Sequence, residues 1–340
     1  MTLLFVGMGL GPLRYLTKAA EEYLRSSEVV YVDTYTSKVE RELMSYIREI
    51  VKGRLIAADR DLLENRMKEI VEEARVKNVC IAVPGDPFIA TTHVALREEA
   101  RKLKVGEEIV FGVSAYTSAI SLSGLHVYKF GKSASIPLTD DINQVRQSYY
   151  TLLENQSRGL HTLFFLDTKD GGLRAGKALE LLLKVENEEG RGVVRSGTLV
   201  IVVARIGYDD ATITAGRLEN LINHTLPPPP HMLIFPGELH FTEKEVIKFY
   251  ALNADDVERH APVNYIRDRV LKYVEKTRRV LQEVRGQDVG EEFCNYVEAY
   301  VDDSKNFLTS GDYVNSLLAI GYAEGLLDAL RLLGVVRFEW

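Results

Sequence analysis

A chain of 340 residues with 46% apolar and 27% charged side chains has an ordinary globular balance. It is too long for one small core, which predicts two or three domains. The net charge of −7 argues against direct binding of nucleic acid or of an anionic membrane through a basic surface.

Short β-branched runs alternate with longer helical patterns. Leu3–Gly7 reads as a strand ending in glycines, Thr17–Ser26 as a helix and Val29–Val32 as a strand. Glu64–Lys77 has amphipathic helical spacing, followed by strand Val79–Val83, a helix over Thr92–Leu103 and a strand over Glu108–Phe111. This alternation predicts α/β layers with largely parallel strands. The second half repeats the pattern: strand Leu160–Leu166, helix Ala175–Val185 and buried strand Thr198–Ala204. The tetraproline Pro227–Pro230 forms a rigid loop before a last strand, His231–Phe235. From about residue 263 the period changes. Val263, Ile266, Val270, Tyr273, Thr277, Val280 and Val284 recur at helical spacing. Breaks at Gly286–Gly290 and Ser310–Asp312 separate two further helices, a small bundle. Boundaries are expected near 110 and 255, giving domains 1–110, 111–254 and 255–340.

The two cysteines, Cys80 and Cys294, are far apart in sequence. No disulfide framework is expected, and a reducing cytoplasm fits. The N-terminus lacks the basic region of a signal peptide, and no apolar run reaches the ~18 residues of a membrane span. The histidines have no metal-ligand spacing, so no metal is expected.

The first strand runs into Gly7-Met8-Gly9-Leu10-Gly11-Pro12. Its spacing is GxGxG rather than the GxGxxG of dinucleotide sites, although Asp33 follows the second strand as the acidic residue of such a site would. Pro12 and Leu13 interrupt the helix start where a pyrophosphate needs free N–H groups. A tight strand-to-loop turn explains the glycines equally well. The run Val83-Pro84-Gly85-Asp86-Pro87-Phe88 lies at another strand end. Asp86-Pro87 has the form of an N-cap and a first-turn proline; the loop is also where open α/β sheets bind ligands.

Several segments together carry a more specific signal. PGDPFIATTHVALR (84–97), GLHVYKFGKSA (124–134), GLHTLFFLD (159–167), LVIVVARIG (199–207) and PPHMLIFPGELH (229–240) resemble, in order and spacing, the successive blocks of the diphthine synthase family. FVGMGL at the start and DTYTS (33–37) match too, so the resemblance covers about residues 1–254. The family belongs to the tetrapyrrole-methylase-like methyltransferases. The resemblance implies two α/β domains with S-adenosyl-L-methionine in the cleft between them, followed here by an α-helical domain. It implies release of S-adenosyl-L-homocysteine, no metal, and a homodimer. The acceptor it implies is the amine of a modified histidine on translation elongation factor 2, methylated repeatedly in diphthamide biosynthesis. Carried over block by block, the donor contacts are Leu10, Asp86, Ile89, Ser114, Ala115, Leu166, Ile206 and His231. The family often reads APS-I where this chain reads GVS-A at Gly112–Ala115, and a small residue in place of Ile206.

Methyl transfer from a sulfonium needs alignment and exclusion of water more than acid–base groups. No nucleophile triad or carboxylate dyad is evident, and no catalytic residue is assigned. Two alternatives remain open: a corrin or tetrapyrrole-precursor methylase of the same superclass, which favours arginines around the cleft, and a non-catalytic cofactor-binding module, which would bind the donor without consuming it. Residues 255–340 carry 16 acids and 11 bases, consistent with solvated faces and weak ion pairs. The segment 311–334 is similar to an archaeal helical domain of unknown function, which implies an archaeal source.

Overall fold

The computed structural model describes residues 1–37 and 39–340. The first sheet is built from β1 (Thr2–Gly7), β2 (Val29–Asp33), β3 (Arg54–Ala58), β4 (Val79–Val83) and β5 (Gly106–Val110). Its order is β3-β2-β4-β1-β5, all parallel. Both faces are covered, so β2 and β4 are buried throughout and read as continuous apolar runs. Each such buried Val or Ile contributes about 1.5–3 kcal/mol over its exposed state. Helices α1 (Lys18–Ser26) and α2 (Arg41–Ile50) cover one face, and α3 (Met67–Ala74) and α4 (Val94–Lys102) the other. Thr17 caps α1, its hydroxyl accepting from the Ala20 N–H at 3.1 Å. Cys80 is buried in this core.

The expected helix Glu64–Lys77 is shorter. Asp61–Asn65 forms a π turn, and Arg66, at φ −109° and ψ 22°, separates it from α3. The strand expected at Glu108–Phe111 is β5, which starts two residues earlier, at Gly106, and ends one earlier, at Val110. Its register is set by pairing Thr2 with Gly106, and Phe111 lies outside it, exposed.

The second sheet comprises β6 (Ala134–Ile136), β7 (Thr162–Leu166), β8 (Leu199–Ala204), β9 (Thr212–Arg217) and β10 (His231–Phe235), in the order β6-β7-β10-β8-β9. It is mixed: β6 and β7 are parallel, and the other pairs antiparallel. The helices α5 (Ala115–Ser123), α6 (Arg146–Ser157), α7 (Ala175–Glu189), α8 (Leu218–Ile222), α9 (Phe241–Lys248) and α10 (Ala254–Glu258) accompany it. Residues 255–260, which the boundary expected near 255 placed in the appended segment, pack with this sheet. Val257 joins its core, Asp256 pairs with Arg217 at 2.8 Å, and the His260 ring bonds the Gly237 carbonyl at 2.9 Å.

The bundle is α11 (Tyr265–Arg285), α12 (Glu291–Thr309) and α13 (Tyr313–Leu332), with its own core around Val274, Val280, Val297, Val301 and Leu327. Asn264 caps α11 through the Arg267 N–H. Its amide also donates to the Ser157 carbonyl at 3.0 Å and to the Tyr313 hydroxyl at 2.9 Å, which seats the bundle against the end of α6. Among the described residues no helix is long and apolar enough to cross a membrane.

Candidate active site

A cavity of about 590 Å³ opens between the two sheets. Its first wall is formed by the loops after β1, β2, β4 and β5, the carboxyl ends of the parallel strands where α/β folds collect ligands. Its second wall is formed by the ends of β7 and β8 and the start of β10. All the residues carried over from the resemblance (Leu10, Asp86, Ile89, Ser114, Ala115, Leu166, Ile206 and His231) line it.

The first wall is held by backbone. Gly9 and Gly85 exchange hydrogen bonds at 3.2 and 2.8 Å, joining the β1 and β4 loops. Both have positive φ, 77° and 76°. The turn after β1 is therefore a loop-to-loop clasp, followed by a 3-10 turn at Leu13–Tyr15. Gly112 completes the contact, since a Cβ there would lie 2.0 Å from the Gly85 carbonyl oxygen. The departure at Gly112 thus fits a backbone approach that excludes a side chain.

Asp86 does not cap a helix. The helix after the loop is α4, beginning at Val94 with His93 at its cap position. Asp86 instead accepts the Phe88 N–H at 3.0 Å and the Gly112 N–H at 3.4 Å, so it ties the β4 loop to the β5 loop from within the cavity wall. Pro87 follows it in a turn rather than in a first helical position, because residues 87–93 stay irregular. Ala90, in this stretch, has φ 56°, a strained left-handed geometry of the kind found at ligand sites. Ser114 caps α5, its hydroxyl accepting from the Tyr116 N–H at 3.2 Å.

Asp33 is not free to meet a ribose. It is fully buried and accepts the N–H groups of Tyr35 and Thr36 at 2.8 and 2.9 Å, with His93 Nε2 at 3.0 Å. Burial alone would raise its pKa, but the bonds from His93 and Thr36 hold it below the ordinary carboxylate value. Its role is to shape the Tyr35–Ser37 loop, which lines the cavity.

His231 is a hydrogen-bonded wall residue. Its Nδ1 accepts the Ala175 N–H at 3.1 Å, and Nε2–H donates to the Pro227 carbonyl at 2.8 Å. That fixes one neutral tautomer, and burial lowers its pKa accordingly. Ile206 and Leu166 add apolar surface. Arg205, just before Ile206, has φ 51°. Two inter-sheet clasps flank the cavity. Arg14 bonds Asp209 at 2.7 Å and the Gly207 carbonyl at 2.6 Å, and the Thr168 hydroxyl donates to the Thr36 carbonyl at 3.4 Å.

Sequence reasoning did not single out Tyr116, Gln144, Asp167, Lys169 and Tyr208, which also line the cavity. The FFLD block ended on Asp167, and so pointed to the Asp167–Lys169 turn without naming it. Burial beside Glu40 raises the Tyr208 phenol to about 12, so it stays protonated. Among the described residues no group of three or more His, Cys, Asp or Glu is placed to hold a metal.

Residues 2–222 match the family described as Tetrapyrrole (Corrin/Porphyrin) Methylases, and residues 272–336 match a family described only as a protein of unknown function. Diphthine synthase of Saccharolobus islandicus is 37% identical over 254 residues, 73% of this chain and 98% of that protein. Diphthine synthase of Saccharolobus solfataricus is 37% identical over 250 residues, 72% of this chain and 96% of that one. A crystal structure of diphthine synthase superposes with a TM-score of 0.68 at 31% identity, covering 76% of this chain and 99% of its own. The chain belongs to the diphthine synthases, methyltransferases of the tetrapyrrole-methylase family.

Proposed function

We propose that the chain binds S-adenosyl-L-methionine in the cleft cavity and methylates, repeatedly, the amine of a modified histidine on translation elongation factor 2, releasing S-adenosyl-L-homocysteine. The observation that carries this is the convergence of Leu10, Asp86, Ile89, Ser114, Ala115, Leu166, Ile206 and His231 on one cavity. They come from both sheets and from positions up to 221 residues apart (231 − 10).

The cavity fits such a donor. Its size lies within the roughly 300–1,000 Å³ of small-molecule pockets. Leu10, Ile89, Leu166 and Ile206 give it apolar wall, and Asp86, Ser114, Gln144, Asp167 and His231 are among the polar groups set between them. The donor, when bound, supplies a methyl carbon already activated by a sulfonium sulfur. What remains for the protein is alignment and exclusion of water. The locked β1, β4 and β5 loops would hold one end of the cleft, and the walls from Leu166, Ile206 and His231 the other. Both Asp86 oxygens already accept backbone N–H groups. We therefore send the acceptor's proton to solvent through the open mouth rather than to Asp86.

The corrin-precursor reading needs several cations for a polyanionic ring. Among the described residues lining the cavity, only Lys169 carries a permanent positive charge. A binding module that never turns over is separated by catalysis. Mass spectrometry of elongation factor 2 after incubation with the chain and the donor should show additions of methyl groups; donor binding without any addition refutes the enzymatic reading.

We place the working enzyme in the cytoplasm as a homodimer. Val127, Tyr128, Phe241 and Phe249 are exposed apolar side chains, surface of the kind that self-association covers. The domains we propose are 1–110 and 111 to about 262, with the bundle beyond.

A further inference from the structure

One aromatic side chain of the second domain reaches across the cleft. Tyr208 lies between β8 and β9, in a tightly wound loop. Its N–H donates to the Arg205 carbonyl at 3.0 Å, and the Ala211 N–H donates to the Tyr208 carbonyl at 3.2 Å. The Arg205 guanidinium sits over the Tyr208 ring, 4.2 Å from its centre, and is tied in turn to Asp210 at 2.6 Å. A ring held between a cation and a wound backbone has little freedom to turn away.

The ring points at the first domain. A Cβ at Gly11 would lie 2.5 Å from the Tyr208 hydroxyl oxygen and 3.6 Å from Glu40 Cγ, so the phenol and the Glu40 side chain converge on one residue of the β1 loop. Gly11 has φ 103°, and both its conformation and this approach exclude a side chain there. The neighbouring loops are as close: a Cβ at Gly207 would lie 2.7 Å from Leu10 Cβ. Glu40 stands at the start of α2, and its carboxylate does not cap that helix. Burial beside this carboxylate pushes the phenol up to about 12, so its O–H is a donor near neutral pH. Leu10, Gly11, Ile206 and Tyr208 all line the cavity. The Arg14–Asp209 pair also joins the domains, but it is exposed on both sides, where such a pair contributes little. Tyr208 is the packed contact between the two walls.

We infer that Tyr208 is a positioning residue for the methyl donor: its ring wedges the Leu10–Gly11 loop of the first domain against Ile206 of the second, and so sets the width of the cleft where the donor lies. Tyr208 takes no part in the transfer itself. A donor gripped from two domains keeps its contacts only while their spacing is held, and a misplacement of about 1 Å is enough to cost a bound reactant its alignment. The inference rests on the functional reading above and extends it, because Tyr208 lies outside the donor contacts carried over from the resemblance.

The test is calorimetry of the full chain with S-adenosyl-L-homocysteine, and steady-state methyl transfer to elongation factor 2 bearing the modified histidine, for the wild type, Tyr208→Ala, Tyr208→Leu and Tyr208→Phe. Loss of a packed aromatic anchor predicts that Tyr208→Ala weakens the homocysteine product and raises the donor KM together, roughly 10- to 100-fold. The acceptor KM should not change. Tyr208→Leu keeps apolar bulk without the planar reach to Gly11 and should match Tyr208→Ala, which keeps the test decisive if the alanine variant melts below the assay temperature. Tyr208→Phe keeps the ring and should recover most of the affinity. Product affinity within twofold of wild type in both Tyr208→Ala and Tyr208→Leu overturns the inference, as does a phenylalanine variant as poor as the alanine one. A raised acceptor KM with unchanged product affinity also overturns it, since the residue would then act on the acceptor. Absence of product binding by the wild type itself overturns the functional reading, and the inference with it.

Discussion

Replacing Asp86 by alanine separates a turn residue from a binding residue. The structure removes the helix-cap explanation, so the folding cost must come from the two backbone N–H groups that Asp86 accepts. The Phe88 bond, at 3.0 Å, is a sound one; the Gly112 contact, at 3.4 Å, is near the limit of a useful bond. A hydrogen bond to a charged group contributes roughly 1.5–3 kcal/mol, so the variant should lose about 2 kcal/mol. Urea unfolding would read this as a lower midpoint with an unchanged slope. If the side chain only shapes the turn, the effect ends there. Because it also faces the cavity, donor affinity should fall about 10- to 100-fold, the scale of one lost charge-assisted contact. Asp86→Asn keeps an acceptor for the Phe88 N–H, and should retain most of the stability while binding with intermediate affinity. Calorimetry with S-adenosyl-L-methionine decides. A 2 kcal/mol loss of stability with donor affinity within twofold of wild type would refute the site assignment.

Truncation after residue 262 should leave donor binding intact, because the bundle has its own core and no bundle residue lines the cavity; an unfolded or non-binding fragment would show that the Asn264 contact with Ser157 is essential to the second domain. A cut after 256 should be worse, since it removes Val257 and His260 from that sheet's own packing, and comparing the two melting temperatures checks this. Donor binding should persist in chelator at a stoichiometry near one, and a loss of heat on adding chelator would reveal a metal. Stability should fall with acid in two stages. Burial lowers His161 to about 4 from 6.5, and its Nδ1 accepts the Gly237 N–H at 2.9 Å. Its contribution is complete above about 6.5 and is lost as pH falls through 4, ~3 kcal/mol in all. Burial opposes ionisation of Glu243, but Lys129 and the N–H groups of His126 and His240 hold it at about 2, so its share is present above about 4.5 and lost toward 2. A urea midpoint that stays flat between pH 7 and pH 4.5 would contradict the neutral state of His161.

Local pattern was enough for much of this protein. Strands such as Val79–Val83 are apolar on both faces because the parallel sheet is covered on both, and that pattern is visible in one short window. The bundle helices announce themselves through a period that changes near Val263. Edge strands were harder. Arg54–Ala58 and Thr212–Arg217 are only partly buried, and without an unbroken apolar run they look like loops. The residues of the candidate site were named through ordered blocks resembling a known family, since Leu10 or Ile206 in isolation is indistinguishable from any core residue. Asp86 shows the boundary most clearly. Asp-Pro before a helical stretch reads as a cap in sequence, but Asp86 accepts the Phe88 N–H within its own turn and the Gly112 N–H, 26 positions away, where a second loop crosses. Lys169 is similar: the Tyr35 ring beneath it is met only once two sheets face each other. Hydrophobic period is a property of neighbours along the chain, so sequence alone determined the α/β class, the buried central strands and the helical bundle. Which polar groups are satisfied, and which are left for a ligand, depends on contacts between distant loops, and only the tertiary structure decided that.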